Sequence, residues 1–247
     1  MVASMGTFSS VGNAGNIWEV DPLFLAGRVA MCPLEYRGVG NVLGHYGVAQ
    51  RSGAIDGVTP LTANSHIAGV RWAPSATAYF VLLRLRFGLT VTTAVTISLQ
   101  KAYAAFILRG FTVAWSSNNT ASNLAAVVNT GKMRATMGAS LLGTVGPQIC
   151  TTLGMTGNTS TQDAAAFAML SCPNPSTTLG AGAVTAQVGA GVAMQTLYEV
   201  TSPYQHPVVL APNEGIVLQN LLAGDASGTS AFHTEWTWAE VNLFLGV

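Results

Sequence analysis

Few side chains of this 247-residue chain have the spacing that catalysis requires. The stretch from Gly38 to Gly44 is glycine-rich like a phosphate-binding loop. However, no hydrophobic strand precedes it and no helical pattern follows, so no helix N-terminus would face a pyrophosphate. Ser98 and Lys101 have the Ser-x-x-Lys spacing that one helical turn brings together, yet they lie in a strand-like run where residues three apart face opposite ways. We therefore predict that the protein is not an enzyme.

Metal binding is the next chemistry to consider, because the chain carries histidines and cysteines. Three cysteines form no C-x-x-C pair, which argues against a zinc site or a disulfide framework: Cys32, Cys150 and Cys172. Four histidines are widely separated and show no H-x-H spacing: His45, His66, His206 and His233. We predict no metal and no cofactor. The alternative is a cupin-like metal site, in which Glu235 would join two or three of the histidines.

Two tryptophans near the C-terminus are candidates for recognition. Trp236 and Trp238 share one face of a strand, and such a pair can form a sugar-stacking platform. The same pair can equally belong to the sheet core or anchor an interface. We treat both as candidate subunit contacts and keep glycan binding as the alternative.

The hydrophobic pattern predicts that β-strands position these residues. From Tyr79 to Leu89 apolar residues recur at every second position, with Arg84 and Arg86 on the other face. This alternation puts Tyr79, Val81 and Leu83 on the same face as Leu85, Phe87 and Leu89, and we expect the last three to be core residues. Further strands are predicted at 91–99, 102–111, 207–210, 216–221 and 231–247, with a turn at 211–215.

The succession of many strands with Gly- and Pro-rich turns predicts an all-β, jelly-roll-like sandwich with long loops. Residues 1–60 show no sustained period, and we interpret them as an extended N-terminal arm. Residues 61–247 would form the sandwich, with a charge-poor insertion near 135–198. Short helices are expected at Thr120–Asn129 and Gln162–Leu170.

Charge is the most unusual property of the composition. Only 8% of the residues are charged, against roughly 25% in ordinary globular domains. Spread over the surface expected for 25.5 kDa, this is roughly one charge per 500 Å². A monomer with such a surface and zero net charge would tend to associate, so we predict that sister subunits cover much of it. Because no stretch of 18 apolar residues exists, no membrane span is predicted.

Opposite charges are separated along the chain. The first 134 residues contain ten basic and four acidic residues, a net +6, and the remainder contains six acidic residues, a net −6. Complementary patches that orient neighbouring subunits would explain this separation, and so would internal ion pairs across one sheet. The basic residues form no concentrated stripe, so direct nucleic-acid binding is not expected.

Several short stretches between about residue 18 and residue 241 form a recognisable set: Leu43-Gly44-His45-Tyr46-Gly47-Val48 followed by Ser52-Gly53-Ala54, Val70-Arg71-Trp72-Ala73, Lys132-Met133-Arg134-Ala135-Thr136-Met137-Gly138, Val209-Leu210-Ala211-Pro212-Asn213-Glu214-Gly215-Ile216-Val217 and Glu235-Trp236-Thr237-Trp238-Ala239-Glu240-Val241. Together they resemble a group of tailed-bacteriophage virion proteins encoded near the major capsid protein. The resemblance implies a head-associated structural protein, a capsid decoration or cement subunit. The region 135–198 matches no part of that pattern.

These observations together predict a structural virion protein that stabilises the capsid shell by inter-subunit contacts. Its partners would be further copies, in a symmetric oligomer such as a trimer, and the major capsid protein. Arg28, Arg37 and Arg51 in the arm are candidate subunit contacts. Because the N-terminus lacks a signal-peptide pattern, we expect synthesis in the host cytoplasm and a final location in the virion. The alternatives are a capsid-lattice protein or a glycan-binding virion module.

Overall fold

The structure is a computed structural model that describes residues 17–20, 27–30, 42–56, 61–73, 78–93, 95–96, 101–121, 131–133, 138–142, 146–172, 178–179, 194–201, 205–224 and 227–241. Within these residues it contains β-strands and connecting segments but no helix. The strands are, in chain order, β1 (Ile17–Val20), β2 (Gly27–Ala30), β3 (Val42–Arg51), β4 (Ile55–Asp56), β5 (His66–Trp72), β6 (Tyr79–Thr93), β7 (Val95–Thr96), β8 (Lys101–Val113), β9 (Asn119–Ala121), β10 (Gln148–Cys150), β11 (Thr159–Gln162), β12 (Ala168–Cys172), β13 (Thr178–Leu179), β14 (Gln195–Glu199), β15 (Val208–Leu210), β16 (Glu214–Asn220) and β17 (Thr229–Val241). The prediction of an all-β fold is confirmed.

Two antiparallel sheets pack face to face, which confirms the predicted sandwich. Sheet I has the order β14–β6–β17–β3, with β15 also on β6 and β4 also on β17. Sheet II has the order β11–β8–β16–β5–β10–β9, with β12 also on β8. Two small pairs, β1–β2 and β13–β7, complete the described strands.

The main strands pair as a long hairpin that is folded over on itself. β3 pairs with β17, β5 with β16, β6 with β14 and β15, and β8 with β11 and β12. The pairs β6–β17 and β8–β16 then join these ladders into the two sheets. Strands far apart in the sequence are therefore neighbours, and β9 and β10 extend sheet II beyond β5.

A β-bulge in β6 corrects the predicted alternation of its side chains. Thr237 pairs with Arg84 and Trp238 with Leu82, so Leu83 is an extra residue opposite β17. The residues of β6 that face the core are therefore even-numbered before the bulge and odd-numbered after it. They are Phe80 and Leu82, then Leu85, Phe87 and Leu89. The prediction for the last three is confirmed. For Tyr79, Val81 and Leu83 it was wrong, because they pack in a separate cluster with Val209, Ala239 and Val241.

Aromatic rings from both sheets fill the core between them. We call this set the aromatic core: Tyr46, Trp72, Phe80, Phe87, Tyr103, Phe232, Trp236 and Trp238. The ring of Trp238 stacks between those of Tyr46 and Phe80, at centroid distances of 5.6 and 5.7 Å. The ring of Phe87 contacts that of Tyr103 across the sandwich at 4.5 Å. Each such pair adds about 0.5–1.5 kcal/mol beyond the burial of apolar area.

The other face of sheet II is covered by two rings that lie close to its backbone. Phe111 and Trp115 contact each other edge to face at 4.8 Å. A Cβ atom on Gly69 would come within 2.3 Å of the Trp115 ring, and one on Gly215 within 2.4 Å of the Phe111 ring. Glycine is therefore required at both positions because any side chain would displace a packed ring.

Residues 42–56 belong to the sandwich, so the predicted arm boundary at residue 60 was wrong. β3 pairs with β17 along almost its whole length, and Ser52 exchanges backbone and side-chain hydrogen bonds with Phe232 at 2.8 Å. Gly44 and Gly47 hid this strand in the sequence because glycine interrupts the hydrophobic alternation. Of the segment before it, the structure describes only the antiparallel pair β1–β2.

The expected short helices are replaced by strands where the structure describes them. Residues 162–170 contain the end of β11 and the start of β12, both paired with β8. The segment expected to start a helix at Thr120 begins instead with β9, and residues 122–130 lie outside the described residues. The ladder partners offered by β8 and β10 outweigh the weak local helix propensity.

Candidate interaction surfaces

The two tryptophans predicted as subunit contacts are core residues, and that prediction was wrong. Trp236 and Trp238 are both 0% exposed. The indole Nε1–H of Trp238 donates a hydrogen bond to the Glu240 carboxylate at 3.1 Å. Neither side chain can stack on a sugar or reach a neighbouring subunit, because the other sheet covers this face of β17. Both tryptophans lie on one face of β17, as predicted, but that face is buried between the two sheets.

The three candidate arginines have different outcomes. Arg51 is exposed at the end of β3, where it pairs in register with His233 of β17. Burial lowers the pKa of His233, and the charge of Arg51 lowers it further. Arg28 lies in β2 opposite Glu19, and Arg37 lies outside the described residues. Arg51 is therefore the candidate contact that the structure places on an accessible surface.

On the outer face of sheet I, opposite charges meet within the chain. The carboxylate of Glu235 on β17 accepts hydrogen bonds from the guanidinium groups of Arg84 and Arg86 on β6, the latter at 3.1 Å. Arg86 lies directly opposite Glu235 on the paired strands, and Arg84 lies opposite Thr237, within diagonal reach of the same carboxylate. Here the basic and acidic parts of the sequence are matched internally, which is one of the two explanations that the sequence left open.

Arg109 on β8 forms the second internal charge cluster. Its guanidinium contacts both Asp163, at 3.2 Å, and Glu214. The hydrogen bonds that Arg109 donates to Asp163 and then to Glu214 raise its pKa further above the usual value. Among the described residues, these two clusters pair six of the chain's twenty charged side chains with each other.

An exposed and almost uncharged edge is formed by β11, β12 and the residues between them. We call Thr159–Cys172 the neutral edge. Backbone hydrogen bonds from Asp163 to Ile107 and from Phe167 to Ala105, both 2.9 Å, hold it against β8. Its one charged residue, Asp163, is paired with Arg109. Met169 is 65% exposed, and among the described strands none pairs with the outer side of β11 or β12.

Natural sheets usually protect such an edge with lysine, proline or other charged residues. The neutral edge contains no Lys, Arg or Pro. Its exposed side chains are short or uncharged: Thr159, Thr161, Gln162, Ala164, Ala165, Ala166, Met169 and Ser171. Such a strand can accept another strand through its backbone, and identical copies of it would not repel each other through like charges.

A buried carboxylate that the sequence analysis missed fixes a loop next to the aromatic core. Glu240 is 0% exposed and accepts hydrogen bonds from Ser140 Oγ at 2.5 Å and from the Leu141 backbone N–H at 2.9 Å. Burial raises the pKa of Glu240, although these donors oppose the shift. Tyr46 donates to the Gly138 carbonyl at 3.1 Å, and its pKa is raised by burial and by Glu240. The only signal in the sequence was the position of Glu240, two residues after Trp238 and therefore on the same face of the strand.

Within the described residues, no group of three His, Cys, Asp or Glu side chains could hold a metal ion. Cys150 is buried with a free thiol, and burial raises its pKa to about 12, which keeps the thiol protonated and unreactive.

Among the described residues there is no helix of the length and apolarity that membrane spanning requires. Compared with models of known protein families and with curated proteins, the chain matches none.

Proposed function

We propose that the protein is a structural virion subunit that decorates or cements a tailed-bacteriophage capsid, associating with its own copies and with the major capsid protein. The observation that carries the proposal is the neutral edge, an exposed strand edge whose only charge is satisfied by Arg109. In a lone monomer such an edge invites aggregation. In a shell of many copies it is a contact surface.

The strand order supports this proposal at the level of the fold. We interpret the sandwich as a jelly roll, because its eight main strands pair first with last, second with seventh, third with sixth and fourth with fifth, counting β11/β12 and β14/β15 as one strand each. Viral capsid proteins, lectins and cupins share this architecture. A fold does not define a function, so the exposed surface and the resemblance of the sequence motifs support the virion role more directly than the jelly roll does.

The proposed mechanism is mechanical. Each contact would add backbone hydrogen bonds along the neutral edge and bury apolar groups such as Met169. Burial of apolar area contributes about 25 cal/mol per Å², so a modest contact repeated over many copies stiffens a shell.

Self-association of the purified full chain tests the proposal directly. We expect size-exclusion chromatography with light scattering to show an oligomer, and Met169→Lys to shift it towards monomer because a lysine blocks edge pairing. Met133→Lys is the matched control, since Met133 is 53% exposed beside β3. A wild-type monomer at micromolar concentration, or equal effects of both variants, would contradict the proposed contact.

Association with particles tests the virion role. We expect the protein to co-purify with virions at high copy number, and we expect shells assembled without it to form but to break at lower temperature. Shells that fail to form would identify it as the lattice protein instead. Absence from purified virions would overturn both versions.

A further inference from the structure

A cleft of about 540 Å³ lies between the segment that precedes β5, the turn before β9 and the segment that leads to β11. This volume falls within the range of about 300–1,000 Å³ typical of small-molecule sites. None of the twelve residues that line it is charged. Its polar groups include those of Asn64, Ser65, His66, Asn118 and Asn158, and its apolar wall comes from leucine and methionine side chains. Ser65 Oγ, Asn118 Nδ2 and Asn158 Nδ2 each already donate one hydrogen bond within the chain, which leaves their acceptor oxygens to a ligand.

The backbone holds two of the asparagines in fixed and unusual positions. Asn64 and Asn118 have φ angles of 63° and 55°, in the left-handed region that few residues other than glycine adopt. The Asn64 N–H donates to the Asn220 carbonyl at 2.7 Å, and the Asn118 carbonyl accepts from the Thr151 N–H at 3.0 Å. The cleft is therefore preorganised, and asparagine at these positions brings a carboxamide that glycine would not.

His66 adds a hydrogen-bonding group of defined protonation. The indole Nε1–H of Trp115 donates to His66 Nδ1 at 2.8 Å, so the ring hydrogen of a neutral imidazole is on Nε2. Burial lowers the pKa of His66, which keeps the ring neutral near pH 7. The cleft thus combines carboxamide groups, a hydroxyl and a neutral imidazole N–H without a formal charge.

We propose that this cleft binds a neutral, hydroxyl-rich ligand of one or two sugar units. Carboxamides and hydroxyls match the donor and acceptor pairs of sugar hydroxyls, and the apolar wall matches the C–H faces of the ring. A phosphate would find no cation and a metal ion no carboxylate among the lining residues. This activity is separate from the proposed virion contact, because the cleft does not include the neutral edge.

Titration of the isotope-labelled full chain with individual sugars, followed by NMR, tests the proposal. The probes are methyl glucoside, methyl galactoside, rhamnose and N-acetylglucosamine, with inorganic phosphate and acetate as charged comparisons. We expect at least one sugar to shift the His66 ring and the Asn64, Asn118 and Asn158 amide signals saturably in the millimolar range. The charged probes should not do so.

Conformation-matched variants complete the test. Asn64→Gly and Asn118→Gly keep the left-handed backbone but remove the carboxamide, and we expect each to weaken binding about fivefold to tenfold. Asn213→Gly is the control, because Asn213 has a φ of 64° but lies in the β15–β16 turn, outside the cleft. No saturable shift with any sugar, shifts with phosphate instead, or an equal loss in Asn213→Gly would overturn the proposal. None of these outcomes would alter the self-association test of the neutral edge.

Discussion

The aromatic core and the neutral edge are built from the same kind of element but have opposite properties. The long strands β6 and β17 pair over thirteen positions and bury large rings between the sheets. β11 and β12 are four and five residues long, and their exposed side chains along β8 are those of Thr159, Thr161, Gln162, Met169 and Ser171. The first region has the contacts that stabilise a fold, whereas the second has backbone groups and a surface that suit association. The comparison indicates that folding and assembly depend on different strands of one sandwich.

Removing a ring from the aromatic core should have the largest effect on stability. We expect Trp238→Ala to lower the free energy of unfolding by about 3–5 kcal/mol, because it leaves a cavity between Tyr46 and Phe80. Met169→Ala on the neutral edge should change it by less than about 0.5 kcal/mol. Urea denaturation of both variants measures the difference, and equal losses would contradict the separation of the two regions.

Adding a side chain at Gly69, beneath the Trp115 ring, should have the next largest effect on stability. Gly69→Ala would place a Cβ within 2.6 Å of the Ile216 carbonyl as well as against the indole, and we expect a loss of about 1–3 kcal/mol. Gly138→Ala is the control, because no atom lies within 4 Å of the added Cβ. Thermal unfolding of the two variants checks this, and a neutral Gly69→Ala would show that the rings can move aside.

Glu240 should make stability depend on pH. Because burial raises its pKa in the folded state, the unfolded chain ionises first as the pH rises above about 4.3. Wild type should therefore lose stability relative to Glu240→Gln as the pH rises towards the folded pKa. The expected loss is about 1.4 kcal/mol for each unit by which the folded pKa exceeds the unfolded one. Urea unfolding at several pH values measures this; a constant difference between the two proteins would refute it.

The ion pairs beside the neutral edge should have the smallest effect. The side chain of Arg109 is 50% exposed, so solvent screens its pairs with Asp163 and Glu214. We expect Arg109→Gln to cost no more than about 1 kcal/mol, and this cost should shrink in high salt. A double-mutant cycle with Asp163→Asn isolates the pair, and a coupling well above that value would mean that the edge contributes more to folding than we propose.

Local pattern in the sequence identified several elements correctly. The predicted strand–turn–strand at 207–221 corresponds to β15 and β16, with Asn213 in the left-handed conformation at the turn. The final strand was also expected, and it is described as far as Val241. These predictions succeeded because alternation and turn residues act over a few neighbouring positions.

The sequence by itself determined the fold class, the shortage of charge and the core role of Leu85, Phe87 and Leu89. Only the tertiary structure decided that β3 completes sheet I, that Leu83 is a bulge and that Trp236 and Trp238 face inwards. It also joined Glu235 to Arg84 and Arg86, each about 150 positions away in the sequence. Side-chain alternation is a local property of one strand. Which face is covered, and by what, depends on partners that only the folded chain brings together.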